Sequence, residues 1–219
     1  MIRLLFEKTG NAVWMSHLDL MRLFQRAFQR AGLPLTHTQG FNPRPSVSIA
    51  LPMSLGMESV CELLDFSLDG EPVPSKQIQE RLNGALVPGV RILDVYEGGS
   101  KLKNLAWLEC CLTLEYDGGV LEDAAGKLEA LFSGPGLLVE KKGKTGVSEQ
   151  DIIPLLSRLE VGRDDEHTLV IRVRVHCQNP ALNPMQLLTA INRYLPELAP
   201  SFSRCRRIEV FDENGNIFR

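Results

Sequence analysis

Guanidinium and imidazole groups concentrate in two short stretches of this 219-residue chain. In the first, Arg22, Arg26 and Arg30 recur at i, i+4 and i+8, a spacing that puts them on one face of a helix. The second, THTQGFNPRP at positions 36–45, sets His37, Gln39, Asn42 and Arg44 around Phe41, between a glycine and two prolines. Arginine forks pair bidentately with phosphate, and prolines lower the entropy lost when a loop orders. A polar loop stiffened in this way suits a binding surface. His17 and His37 are the catalytic candidates, as acid and base, because imidazole titrates near neutral pH.

Other chemistries are excluded by spacing. Gly143-Lys144-Thr145 invites a phosphate-loop reading, but that motif needs a glycine where Leu138 stands. A basic hairpin turn is the better expectation there, with Lys141, Lys142 and Lys144 extending a basic surface. The chain has no GxGxxG, HExxH or GxSxG run, and its histidines lack tight metal-ligand spacing, so neither a metal nor a cofactor is expected. Its five cysteines (Cys61, Cys110, Cys111, Cys177, Cys205) form no CxxC pair and no CxxxCxxC cluster motif. Buried, reduced thiols are the expectation.

Charge is unevenly spread. The net value is −3, yet residues 1–50 carry six Lys/Arg against two Asp/Glu, and residues 51–100 carry three against eight. A sequence pI near 5.9 argues against a uniformly basic nucleic-acid binder. The longest apolar runs are a few residues, too short for a bilayer. Glu7 interrupts the N-terminus before any signal-peptide core forms, so a cytoplasmic protein is expected.

The elements that must hold these residues follow from periodicity. Met1–Lys8 alternates as a strand, with Arg3 and Glu7 on the polar side. Ser16 caps a helix, Asp19 completes an S-x-x-D box, and Gly32 and Pro34 end it. Strands at 46–51 and 58–68, a helix from Ser75 and a strand at 90–96 complete a β-α-β-β-α-β order. After the linker at 97–104 the order recurs. Strands are expected at 105–116, 137–142, 168–176 and 206–211, with helices at 120–132 and from Pro184 to Leu195. The expected class is α+β, two tandem ferredoxin-like (βαββαβ) units with antiparallel sheets, at 1–98 and 105–219. An irregular insertion is expected at 143–162.

Several of these residues carry a resemblance. Ser16-His17-Leu18-Asp19, the helix with Arg26 and Arg30, Ala31-Gly32-Leu33-Pro34 and Gln39-Gly40-Phe41-Asn42-Pro43-Arg44-Pro45 resemble the radical SAM-linked family of bacterial proteins. Residues 56–62 and Leu64-Asp65 continue the match, which is specific over roughly the first seventy residues. Thr38 stands where the family has Ser. The resemblance implies a radical SAM protein as partner, often one carrying a cobalamin-binding domain, in an RNA-metabolism setting; it supplies no catalytic residues.

The leading expectation is an accessory RNA-binding module that presents a structured RNA to a radical SAM modifying enzyme and is not itself catalytic. Arg22, Arg26, Arg30, His37, Gln39, Phe41, Asn42 and Arg44 form its binding set. A second reading is a protein adapter for the radical SAM protein, docking through the loop and the acidic stretch at 58–71. A third is a metal-independent endoribonuclease using His17 and His37. It rests on a resemblance, at the level of fold only, to CRISPR repeat-processing endoribonucleases.

Overall fold

The computed structural model describes residues 1–143 and 146–219. It is a mixed α+β fold whose strands pair mostly antiparallel, with four α-helices among the described residues. The chain divides into two compact units, Met1–Leu102 with Arg219, and Lys103–Phe218.

The first unit runs β1 (Ile2–Lys8), α1 (His17–Arg30), β2 (Val47–Ile49), β3 (Glu58–Phe66), α2 (Ser75–Ala85) and β4 (Val90–Glu97). Its strands lie in the order β4-β1-β3-β2. Helix α1 starts where the capping box places it: the Asp19 N–H donates to Ser16 Oγ at 3.2 Å. Its buried residues Leu20, Phe24, Ala27 and Phe28 recur at helical spacing and form the stripe that packs on the sheet. Phe24 meets Phe6 edge-on at 4.8 Å between centroids, and Phe28 meets Phe66 at 4.8 Å. Ile78 and Leu82 of α2 join the same core.

The polar side of β1 departs from its expected exposure. Arg3 is fully buried, directly opposite Asp65 in the β1–β3 register. Its Nε donates to Asp65 Oδ1 at 2.6 Å and its Nη2 to Oδ2 at 3.0 Å. Burial by itself lowers the pKa of the guanidinium, but the hydrogen bond and charge of Asp65 reverse this and hold it above its ordinary value. The linker crosses this spot. A Cβ on Gly99, whose φ is +91, would fall 2.9 Å from the Arg219 carbonyl carbon and 3.3 Å from Arg3 Nη1, so only glycine fits. Lys8 is buried too, its Nζ donating to the carbonyls of Val13 and Met15 at 3.2 and 3.0 Å. Alternation in one strand identifies polar positions but not what lies over them.

The second unit runs β5 (Leu105–Glu115), α3 (Ala124–Phe132), β6 (Leu138–Gly143), β7 (Gly146–Asp151), β8 (Leu156–Arg163), β9 (Thr168–His176), α4 (Gln186–Tyr194) and β10 (Phe202–Asp212). Its sheet order is β10-β5-β9-β8, and β6 and β7 form a separate hairpin. The stretch 143–162, expected to be irregular, instead holds most of two strands. β8 pairs with β9 as the strand after the hairpin. Its alternation is broken by a register shift between Ser157 and Glu160, where Arg158 has a φ of +50. A bulge of this kind erases the period of two by which strands are recognised. β7 is polar apart from Val147 and largely exposed, so it carries no alternating apolar signal. Lys144 and Thr145, at the centre of the phosphate-loop candidate, lie outside the described residues.

Removing one member of the buried ion pair leaves the other charged and desolvated. Arg3→Met is expected to lower stability by about 3–5 kcal/mol, read from the denaturant midpoint at unchanged slope. A loss below about 1 kcal/mol would show that water reaches Asp65.

Candidate nucleic-acid interface

Helix α1 and the loop that follows it enclose a cleft of about 440 Å³, lined by Arg22, Gln25, Arg26, Phe28, Gln29, Leu33, Pro34, Leu35, His37 and Pro45. Its floor is apolar, since Phe28 and Leu33 are fully buried and Leu35 nearly so. Its helical wall is the stripe Arg22, Gln25, Arg26, Gln29, at i, i+3, i+4 and i+7. Its other wall is the base of the loop, which is held like a small ribbon. Leu35 bridges Leu68 and His37 bridges Pro45. The Thr36 N–H donates to the Ser67 carbonyl at 2.9 Å, and the Ser46 N–H to the Thr36 carbonyl at 2.8 Å.

Above this base the loop closes on itself. The Thr38 N–H donates to the Arg44 carbonyl at 2.8 Å, and the Arg44 N–H returns a bond to Thr38 Oγ1 at 3.0 Å. Thr38 therefore performs with its hydroxyl what a serine would. Gly40 sits at the turn with φ +139. Gln39, Phe41, Asn42 and Arg44 all stand exposed on the tip, and Phe41 has a relative exposure of 109%.

The sequence-predicted residues thus separate into groups. Arg22, Arg26 and His37 converge on the cleft, and Gln39, Phe41, Asn42 and Arg44 crown the loop that walls it. Arg30 is not part of the cleft. One position further round the helix, its Nη2 donates to the Ala85 carbonyl at the end of α2, at 2.6 Å. Arg22 is partly balanced by Asp19 at 3.4 Å. The Ser16 hydroxyl, donating at 2.7 Å, helps hold that carboxyl below its ordinary pKa. Among the described residues the side chains of Arg26, Arg44 and His37 have no hydrogen bond or ion pair, so their donors face solvent. His17 opens α1 and does not line the cleft, so the two imidazoles are not brought to one cavity. The acidic stretch is not a continuous outer surface either: Glu62 and Asp65 are buried, leaving Asp69 and Glu71 exposed. Lys141 Nζ reaches the Ala181 carbonyl at 3.4 Å in the second unit.

Two kinds of residue escaped the sequence reading. Gln25 and Gln29 line the cleft; only the loop that packs beside them distinguishes these glutamines from solvated ones. The second is a row across the other unit's sheet, where Arg206 of β10, Cys111 of β5 and Arg172 of β9 are register partners. Neighbouring arginines are committed: Arg174 to Glu109 at 2.8 Å and over the Phe211 ring at 3.5 Å, Arg204 to Glu115 at 2.6 Å. Arg172 and Arg206 have no ion pair among the described residues. The alternation of Arg172 and Arg174 with apolar residues marked a polar strand face, but only the pairing aligned it with β10.

All five cysteines are free thiols. Burial pushes the Cys177 thiol up to about 12, and it raises that of Cys111 despite the nearby charges of Arg172 and Arg206. The thiolate is the reactive form. At about pH 8, alkylation of Cys177 in the folded protein is expected to be at least about a hundredfold slower than after unfolding, and that of Cys111 to be slowed as well, followed by mass spectrometry. Equal rates would mean that both thiols are solvated.

No helix among the described residues is long and apolar enough to cross a membrane, and these residues contain no cluster of three potential metal ligands. A family model described as "Uncharacterized protein conserved in bacteria (DUF2344)" matches residues 1–184. No curated protein matches the sequence. Among solved structures, a Cbf5-Nop10-Gar1 complex is similar at a TM-score of 0.50 and 12% identity, over 97% of this chain and 50% of that one. An H/ACA RNP bound to a substrate RNA containing 2'-deoxyuridine follows at 0.49 and 13%, over 97% and 48%. The chain spans about half the length of these proteins, and at such identity the likeness is one of fold alone.

Proposed function

This chain belongs to that conserved bacterial family, and we propose that it is an accessory RNA-binding module that presents a structured RNA to a radical SAM modifying partner in the cytoplasm. The observation that carries the reading is the convergence of Arg22, Arg26 and His37 on one cleft, beside a loop that displays Phe41 and Arg44 to solvent. The guanidinium groups of Arg26 and Arg44, which make no hydrogen bond or ion pair among the described residues, and that of Arg22, only partly balanced by Asp19, stand next to an exposed ring and match a ligand that combines phosphates with flat bases. The net negative charge confines such binding to this local patch instead of the whole surface. The radical SAM partner comes from the resemblance carried by Ser16–Asp19 and Gln39–Pro45. Tandem ferredoxin-like units at 1–98 and 105–219 are part of the same proposal. The orders β4-β1-β3-β2 and β10-β5-β9-β8 support it, with the β6–β7 hairpin inserted before the second strand of the second sheet. The fold likeness to the Cbf5 complex bears on the scaffold, not on the ligand.

The test is RNA affinity across a salt series. The Arg22→Ala/Arg26→Ala double variant is expected to bind RNA from the native host roughly tenfold more weakly, with the slope of log K against log salt reduced by about 1.4. Arg30→Ala is the control, since its guanidinium is held against Ala85 and faces away from the cleft. Unchanged affinity and slope in the double variant overturn the cleft as the RNA site. A native pull-down is expected to recover a radical SAM protein together with a defined RNA; recovery of that protein alone returns the adapter reading.

A further inference from the structure

We infer that the α1–loop cleft receives a single unpaired nucleotide from a single-stranded segment, with the next base of the strand stacked on Phe41. The inference rests on the RNA reading and specifies its ligand. An intact duplex presents phosphates and groove edges, and for it an arginine-lined surface would suffice. This site is concave and contains more than arginines. A buried apolar floor of Phe28, Leu33 and Leu35 lies beneath a rim of hydrogen-bonding side chains, Gln25, Gln29 and His37. Among the described residues none of those three side chains makes a hydrogen bond within the protein. An apolar face to stack on, with amide donors and acceptors at the edge, suits an extruded base. Arg22 and Arg26, on the same helical stripe, stand where the backbone of that nucleotide would enter. A cleft of about 440 Å³ lies within the range of small-ligand sites, roughly 300–1,000 Å³.

The loop tip extends the argument along the strand. His37 lines the cleft and Phe41 lies four residues on, so their Cα atoms stand at most about 14 Å apart. That reach suits a neighbouring base. A ring fully open to solvent at a ribbon-braced tip contributes nothing to the protein's own core, whereas base–aromatic stacking uses both its face and its exposure. Asn42 and Arg44 flank it on the same tip.

The experiment uses the full-length protein and three probes under one low-salt condition. They are a single-stranded oligoribonucleotide of about 12 nucleotides, the blunt duplex of the same sequence, and the single strand carrying one 2-aminopurine. Expected are single-strand affinity at least about tenfold above that of the duplex and a change in 2-aminopurine emission on binding. Gln25→Ala/Gln29→Ala is expected to abolish the emission change, and Phe41→Ala to weaken single-strand binding roughly tenfold. All of these residues lie outside the core, and circular dichroism checks that the variants remain folded. Equal affinity for duplex and single strand, with both still lost in Arg22→Ala/Arg26→Ala, overturns base insertion and leaves the RNA reading intact. Single-strand preference without an emission change in any labelled register likewise overturns insertion. Failure to bind any of the probes, with the arginine variants indistinguishable from the parent, removes both.

Discussion

The first unit depends on a buried charged pair. Arg3 and Asp65 face one another across β1 and β3, joined by two hydrogen bonds. A buried pair of this kind contributes little net stability relative to an apolar substitute, because both ions must be desolvated. What it does impose is register. A slip of one residue would leave each charge buried opposite an apolar neighbour, at a cost the domain could not sustain. The pairing of these two strands is therefore set by electrostatics as well as by the alternation of Leu4 and Phe6.

That register reaches the cleft through a short series of contacts. The strand that ends at Phe66, one residue beyond Asp65, carries β2 alongside it, with Ser48 opposite Asp65 and Val47 opposite Phe66. Ser67 then holds both sides of the loop base: its carbonyl accepts from Thr36, and its N–H donates to Ser46 at 3.3 Å. On the other wall, Phe24 and Phe28 lock α1 against Phe6 and Phe66 of the same two strands. Helix and loop are thereby referred to one pair of strands, and the gap between them becomes a defined cavity. Preorganisation matters for weak, polar recognition, where the entropy of ordering a loop would otherwise offset the attraction of the ligand. The two prolines and the Thr38–Arg44 closure reduce that cost before any ligand arrives.

The same logic explains how like residues acquire unlike roles. Arg22, Arg26 and Arg30 are chemically equivalent, yet one is shared with Asp19, one is open to the cleft and one caps a carbonyl of α2. On the second unit's sheet, Arg174 and Arg204 are neutralised by carboxylates, and among the described residues Arg172 and Arg206 are not. A count of basic residues would treat all of these as one surface. Only the position of the nearest acceptor separates a structural guanidinium from an available one.

What the sequence determined by itself lies where local physics dominates. The Ser16–Asp19 cap, the apolar stripe of α1, the alternation of β5 and β9 and the stiff polar loop around Phe41 depend on neighbours within a few residues. They are visible without a fold. Tertiary structure alone decided the burial of Arg3 and Lys8, the placement of β8 through a bulge, and the departure of Arg30 from its stripe. It also decided the recruitment of Gln25 and Gln29 to the cleft and the alignment of Arg206 with Arg172. Each of these turns on what lies opposite a side chain rather than beside it in the chain. Helical and strand periods fix the direction in which a residue points along its own element, but the partner it meets comes from tens of residues away. The dielectric and hydrogen-bonding environment of a charge is set by that partner.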